Sequence, residues 1–285
     1  MREALSWATD LLASIEERDV AQLEAEVLLC HQLRISRAQL HAHLDESLDL
    51  EMARRYGFLV ERRAAHEPVA YIVGHKEFFG LDFVVDRRVL IPRPETELLV
   101  ETVLSGLGQG RGVINHAPTL ADVGTGSGAI AISLAVRLPQ ARIFAADAST
   151  DALEVAAINC TRHGVQDRVT LLQGDLLEPV PSLVDVIVAN LPYIPSDQLA
   201  ILPPDIRDYE PLSALDGGAD GLDRYRRLFQ QSPDYLHRPG LLVAEFGIGQ
   251  GPAIRHLAAG AFPAATIQLL PDLAGIDRVV LVSTA

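Results

Sequence analysis

From Leu120 onward, short apolar runs alternate with helical patterns, and few architectures accept that alternation. The strand candidates are Leu120–Val123, Arg142–Ala146, Val169–Gln173, Val184–Ala189, Leu241–Phe246, Thr266–Leu270 and Arg278–Val282. Helical patterns such as Ala129–Arg137 and Asp151–His163 fill most of the gaps. The alternation predicts an α/β fold, a Rossmann-like doubly wound and mostly parallel sheet. Ligands of such sheets bind beyond the carboxyl ends of the strands.

The N-terminal part reads differently. Leu5, Ala8, Leu11, Leu12 and Ile15 fall at helical spacing. Asp19 with Gln22 predicts a capping box for a second helix carrying Leu23, Val27, Leu28 and Cys30. Ser36 with Gln39 repeats that signal, and a fourth helix is expected from about Leu48 to His66, stopped by Pro68. Residues 1–74 are thus expected to form a small helical bundle, either a cover for the main domain or a substrate-recognition unit. Residues 75–90 include Glu77–Val85, whose alternation around Gly80 predicts a β-hairpin linker. The α/β domain is expected over 91–285. It opens on Ile91-Pro92-Arg93-Pro94-Glu95-Thr96-Glu97, two prolines and an acidic helix start. Arg93 and Glu95 read either as an ion pair bracing a loop or as plain helix-start chemistry, and neither is assigned a catalytic role.

Composition narrows the function. A chain of 285 residues accommodates one large and one smaller domain. Its apolar stretches are too short and interrupted for a membrane span, and the first residues lack the apolar core of a signal peptide. A monomeric cytoplasmic protein without membrane association is expected. Cys30 and Cys160 sit among apolar neighbours in helical patterns and read as free buried thiols, with no metal site. The net charge is −14, with −5 of it in residues 1–74, and the only lysine is Lys76. A protein that neutralises many phosphates shows a basic face. None is visible, which argues against stable nucleic-acid binding and for a protein partner with a basic surface.

The first strand of the α/β region runs into Gly124-Thr125-Gly126-Ser127-Gly128, a glycine turn that opens a helix. Glycines let a backbone approach a ligand closely, but this turn suits a dinucleotide equally well. The second strand ends in Asp147, where an acid can accept from ribose hydroxyls. The third ends at Gly174-Asp175-Leu176, placing an acid and an apolar residue where an adenine could lie. These residues indicate an adenosine-containing cofactor and leave nicotinamide and sulfonium cofactors both open.

The fourth strand, Val184–Ala189, decides between them, because it stops in Asn190-Leu191-Pro192-Tyr193. A dehydrogenase needs a proton-moving group near its substrate, yet none of the nine histidines lies at a strand end. His163, before Gly164, reads as a solvated or capping residue. A methyl donor carrying positive sulfur needs only a positioned acceptor. Asn190 can accept through its side-chain oxygen from a substrate NH₂, the Leu191 carbonyl can accept a second hydrogen, and Tyr193 can pack on a planar group. Catalysis would then be mainly orientation with stabilisation of charge developing on nitrogen.

These residues resemble a known family, the bacterial peptide chain release factor glutamine methyltransferases (the HemK/PrmC family). The resemblance runs through Arg62–Gly74, Val89–Glu97, Glu210-Pro211, Ala214-Leu215, Gly217-Gly218, Asp220–Leu222 and Tyr225-Arg226. It implies a class I S-adenosylmethionine-dependent methyltransferase domain behind an N-terminal helical domain that contacts class I release factors. Its substrate would be the glutamine of their Gly-Gly-Gln loop, methylated on the side-chain nitrogen, with S-adenosylhomocysteine as product. By position Gly124 to Gly128 would line the methionine portion of the cofactor, Asp147 would bind the ribose, and Asp175 and Leu176 would flank the adenine. Asn190, Leu191, Pro192 and Tyr193 would hold the glutamine, Asn190 also touching the cofactor. Leu191 stands where the family has proline, which frees φ and restores an N–H; a slightly less pre-organised site is expected. Asn-Leu-Pro-Tyr also looks like the tetrapeptide of ribosomal RNA adenine dimethyltransferases, so adenine methylation on RNA is the rival reading.

Overall fold

The computed structural model describes residues 1–108 and 117–285. They divide into two compact units, Met1–His75 with Pro203–Tyr209, and Lys76–Leu202 with Glu210–Ala285. The first holds α1 (Arg2–Leu12), α2 (Arg18–Leu33), α3 (Arg37–Ala42), α4 (Leu50–Ala64) and α5 (Val69–Val73). Leu12, Leu28, Leu29, Leu40 and Val60 are fully buried, each worth about 1.5–3 kcal/mol of apolar transfer. The Tyr56 hydroxyl, in the same core, donates to Ala25 O at 3.0 Å.

Two expectations change here. α2 begins at Arg18 behind Glu17, with no side-chain cap, because Asp19 already lies inside the first turn and meets the helix dipole instead. Leu23 is exposed, and the buried stripe of α2 is Ala21, Ala25, Leu28 and Leu29. The capping box at α3 is complete, with Gln39 N–H on Ser36 Oγ and Ser36 N–H on Gln39 Oε1. α4 is capped by Asp49, which accepts from Met52 N at 2.8 Å.

The second unit opens on a hairpin of β1 (His75–Phe78) and β2 (Leu81–Val84), followed by α6 (Glu97–Gly108). Then come β3 (Thr119–Val123), α7 (Ala129–Arg137), β4 (Arg142–Asp147), α8 (Thr150–Arg162), β5 (Val169–Gln173) and β6 (Val184–Ala189). α9 (Pro204–Arg207) belongs to the first unit, where the neighbouring Tyr209 hydroxyl donates to Ala65 O at 2.7 Å. The 91–285 range expected for the α/β domain includes this segment, Pro203–Tyr209. The chain finishes with α10 (Asp223–Gln231), β7 (Leu236–Glu245), α11 (Gly251–Ala261), β8 (Thr266–Pro271) and β9 (Asp277–Thr284).

The seven strands expected from Leu120 onward form one sheet of order β5-β4-β3-β6-β7-β9-β8, apart from the two-stranded hairpin. β5, β4, β3, β6 and β7 are mutually parallel, and β9 runs antiparallel to β7 and β8. β7 starts earlier than expected because Leu236 pairs with Val184 across a bulge. Alternate residues face opposite layers. Ala121, Ile187, Leu242 and Val280 share a core with Tyr225, Phe229 and Ile254 of α10 and α11. On the other face Leu241 lies against α6, where a Cβ at Gly106 would come within 2.7 Å of it. Among the described residues no helix is long and apolar enough to cross a membrane.

One buried amide ties the hairpin to the sheet. Asn159 of α8, with no exposed surface, accepts from Val84 N at 2.8 Å and donates to Val84 O at 3.0 Å and Ser127 O at 2.9 Å. Nearby, His163 follows the last residue of α8 and takes the Asp82 carbonyl at 3.0 Å, its ring against Phe83. Asn159→Ala should lower the unfolding free energy by about 2–3 kcal/mol, since it leaves buried backbone groups unpaired. Asn159→Asp should cost more, because it sets acceptors against two carbonyls. Urea melts of both variants check this; a loss in Asn159→Asp no larger than in Asn159→Ala would deny the donor role.

Candidate active site

The chain crosses from β5 back to β6 beside β3, so the strand order reverses between β3 and β6. At such a switch point the loops leave in opposite directions and open a crevice. A cleft of about 330 Å³ lies there, within the usual size of ligand pockets. Gly124, Gly126, Asp147, Asp175, Leu176, Asn190, Leu191 and Pro192 all line it. Thr125, Ser127, Gly128 and Tyr193 were expected in the site but lie off the lining: Thr125 and Ser127 are buried beneath the turn, and Gly128 opens α7.

The glycine turn is fixed from below. Gly124 N and Thr125 N both donate to Ala146 O of β4, at 2.9 and 3.0 Å. The Thr125 hydroxyl donates to Asp122 Oδ2 at 2.7 Å, and Ala131 N at the start of α7 donates to the same oxygen at 3.1 Å. Asp122 is fully buried and its Oδ1 has no partner among the described residues; burial pushes its carboxyl up to about 7 against those two donors. Gly124 has φ 76°, and a Cβ there would sit 3.0 Å from Leu191 Cδ2. Glycine is what lets the turn and the tetrapeptide lie side by side.

Asp147 accepts from Gly126 N and Ser149 N, both at 2.9 Å, one on each oxygen. The Ala148 N–H also bears on this carboxylate; with about four acceptor positions in all, it keeps room for a ligand hydroxyl. Burial raises this carboxyl above its ordinary range, opposed by those N–H groups. Asp175 is committed differently. Its carboxylate pairs with Arg227 of α10, with Arg224 at 3.9 Å, so it enters the cleft neutralised. Leu176, at φ 52°, is buried against the same wall.

The tetrapeptide leaves β6 over a polar floor. Asn190 Nδ2 donates to Thr96 Oγ1 at 3.0 Å, and that hydroxyl donates to Glu245 Oε2 at 2.7 Å. The Tyr193 hydroxyl reaches Glu245 Oε1 at 3.4 Å. Glu245 ends β7 almost without exposed surface, and burial pushes it up to about 6. The Tyr225 hydroxyl of α10 lies 3.3 Å from Leu191 N and 3.0 Å from Leu191 O, so the N–H that proline would lack has a partner. Gln250 Nε2 donates to Tyr193 O at 2.9 Å. Behind the loop, a Cβ at Gly217 would come within 2.7 Å of Pro192 O.

Arg93 pairs with Glu210, which also receives Ile91 N at 3.3 Å; in the ion-pair reading its partner was Glu95. Glu210 is buried, so it offers the guanidinium a desolvated partner that a carboxylate in an exposed first turn does not. The pair binds the Ile91–Arg93 arm to the segment before Pro211, Ser213 and Ala214, which line the cleft with Val89 and Leu90. Sequence reading missed Thr96, Glu245, Tyr225 and Gln250 as parts of the site. Only Glu245 carried a signal, a carboxylate closing an apolar strand.

With the geometry in place, the relatives decide the family. The description PrmC N-terminal domain fits residues 3–74, and Methyltransferase small domain fits residues 95–201. A release factor glutamine methyltransferase of Moorella thermoacetica is 47% identical over 281 residues, covering 98% of this chain and 96% of that protein. The chain belongs to the release factor glutamine methyltransferase family. A second member, from Geobacter sulfurreducens, is 43% identical over 98% of this chain and 95% of its own length. A methyltransferase from Pyrococcus furiosus, 17% identical, matches at TM-score 0.52 over 79% of this chain and 96% of that one and shows the shared fold.

Asp122 yields a test of how this family member holds its glycine turn. Its folded pKa of about 7 lies above the ordinary 3.8, so its contribution to stability is full below pH 4 and is lost as pH rises towards 7. Asp122→Asn cannot ionise. Between pH 4 and pH 7 the unfolding free energy of the variant should therefore gain on wild type, by about 1.4 kcal/mol per pH unit at most. Chemical denaturation across that range reads the difference, and parallel curves would contradict a buried, ionising Asp122.

Proposed function

We propose that this chain transfers the methyl group of S-adenosylmethionine to the side-chain amide nitrogen of a glutamine, that of the Gly-Gly-Gln motif of class I peptide chain release factors. The observation that carries the reading is one cleft lined by both the glycine turn after β3 and the Asn190 tetrapeptide after β6. The residues present fit the cofactor. Gly124 and Gly126 give a wall without side chains, and Asp147 keeps room for a ribose hydroxyl beside its backbone bonds. Leu176, Leu90 and Val89 supply apolar surface for a purine. When bound, S-adenosylmethionine supplies an electrophilic methyl on a sulfonium.

The protein's own part is positioning. An amide nitrogen is a weak nucleophile, so its lone pair has to be aimed. Asn190 Oδ1 accepts one substrate N–H and the Leu191 carbonyl, which lies 3.0 Å from the Tyr225 hydroxyl, accepts the second. Tyr193, fixed through its hydroxyl and its carbonyl, anchors the end of the tetrapeptide from outside the lining. Holding reacting groups in this way lowers the barrier by orientation, and the carbonyl dipoles favour charge growing on nitrogen. The helical unit over residues 1–74 is assigned recognition of the release factor. A net charge of −14 suits a partner with a basic surface in the cytoplasm.

Incubation with labelled S-adenosylmethionine and purified release factor, followed by peptide mass spectrometry, should place one methyl on the glutamine of Gly-Gly-Gln; label on RNA instead would replace this reading with adenine methylation. Asn190→Ala should cut turnover by roughly 10²-fold or more while cofactor affinity stays within a few-fold, the scale of losing an orienting polar group. Equal losses in both would make Asn190 a cofactor ligand only. Asp147→Ala should weaken cofactor binding by roughly 1.5–3 kcal/mol by calorimetry, and unchanged affinity would remove it from the site.

A further inference from the structure

A primary amide is nearly symmetric in shape, so sterics alone do not decide whether Asn190 offers its oxygen or its NH₂ to the cleft. The floor beneath it does. An ionised carboxylate only accepts hydrogen bonds. Thr96 Oγ1, 2.7 Å from Glu245 Oε2, must therefore give its single proton there. Having done so, the hydroxyl can only accept from its other neighbour, the Asn190 amide at 3.0 Å, and only the NH₂ end can donate. The oxygen is the end left for the substrate.

We infer that Glu245 is a positioning residue that acts through Thr96 to set the polarity of the Asn190 amide, so that the oxygen and not the NH₂ faces the substrate nitrogen. The inference rests on the glutamine-methylating reading of the site. Protonating Glu245 on Oε2, the oxygen that faces Thr96, reverses the chain: the carboxylic acid donates to Thr96, Thr96 donates to Asn190, and the amide turns its oxygen down. An NH₂ then faces the substrate NH₂, donor against donor. The groups facing Glu245 are Tyr193 after β6, Tyr225 of α10, Glu95 before α6 and Arg278 of β9. Burial and Glu95 oppose the ionised state, while the Thr96 and Tyr193 hydrogen bonds and Arg278 favour it, which places the changeover at about 6.

The experiment measures kcat and KM for release factor against pH, with cofactor affinity and thermal midpoint for each variant. Wild-type kcat should fall as pH drops through about 6 while KM changes little. Asp122 also titrates nearby, so the limb should persist in Asp122→Asn and vanish in Glu245→Gln. Glu245→Gln, whose amide can donate to Thr96, should lose roughly 10²-fold in kcat at neutral pH. Thr96→Val should match it, and Thr96→Ser, which keeps the hydroxyl, should stay within a few-fold of wild type. A folded Glu245→Gln with wild-type kcat and an unchanged acid limb would overturn the inference. So would equal activities of Thr96→Val and Thr96→Ser, a comparison that stands even if Glu245→Gln does not fold. Wild type leaving the release factor glutamine unmethylated would instead overturn the functional reading beneath it.

Discussion

In a parallel pair, the register at the carboxyl ends decides which residues leave the sheet together. β3 and β6 pair from Leu120 with Val186 to Val123 with Ala189, so Gly124 and Asn190 emerge as neighbours. More than sixty residues of chain separate them. Nothing local to either loop could bring them together. The β3–β6 ladder does, and its cost in loop-closure entropy is met by strands without exposed surface on either face. The glycine at position 124 follows from its φ of 76°, which L side chains rarely adopt, and a Cβ there would also press on the tip of the Leu191 side chain at 3.0 Å.

Beneath the crevice lie two carboxylates, Asp122 at the base of the turn and Glu245 at the base of the tetrapeptide. Burying a carboxylate is unfavourable unless hydrogen bonds compensate, and both have pKa values raised by burial, so compensation is incomplete. Each nevertheless receives a threonine hydroxyl that bears on a cleft loop, Thr125 in one case and Thr96 in the other. Stability forgone at these positions fixes loop geometry. While ionised, a carboxylate only accepts and gives a hydroxyl no choice of direction, and direction is what a site working by orientation needs.

The sheet was legible because strand and helix periodicities differ and each strand carries its own signal. The glycine turn, Asp147 and the tetrapeptide were legible because they sit at strand ends, where the fold puts ligands. Thr96 was not. It comes from a segment before α6, and its contact with Glu245 joins residues 149 apart in sequence. Of the two readings open for Arg93, the ion pair with Glu95 fails for a similar reason, since Glu95 is near in sequence while Glu210 is near in space and buried. Leu23 misled because helical spacing shows that a stripe exists but not which stripe a neighbour covers; small alanines face the core of α2. Local pattern reports local structure, and long-range polar pairing leaves almost no local trace.

Leu191 shows how such pairing substitutes for covalent constraint. Proline would fix φ and carry no N–H needing a partner. Leucine brings both a free φ and a buried donor, which would weaken the loop if left alone. Here the Tyr225 hydroxyl stands within reach of the Leu191 N–H and its carbonyl, and it also donates towards the Glu245 carbonyl. A single phenol thus links the tetrapeptide backbone to the end of β7. The leucine side chain, almost fully buried, fills the space beside Gly124. Rigidity that the usual proline would take from its ring comes in this chain from α10 and from packing against the glycine turn. The backbone N–H of the residue whose carbonyl is assigned to the substrate is therefore held by the same helix whose Arg227 neutralises Asp175, so α10 braces both ends of the crevice.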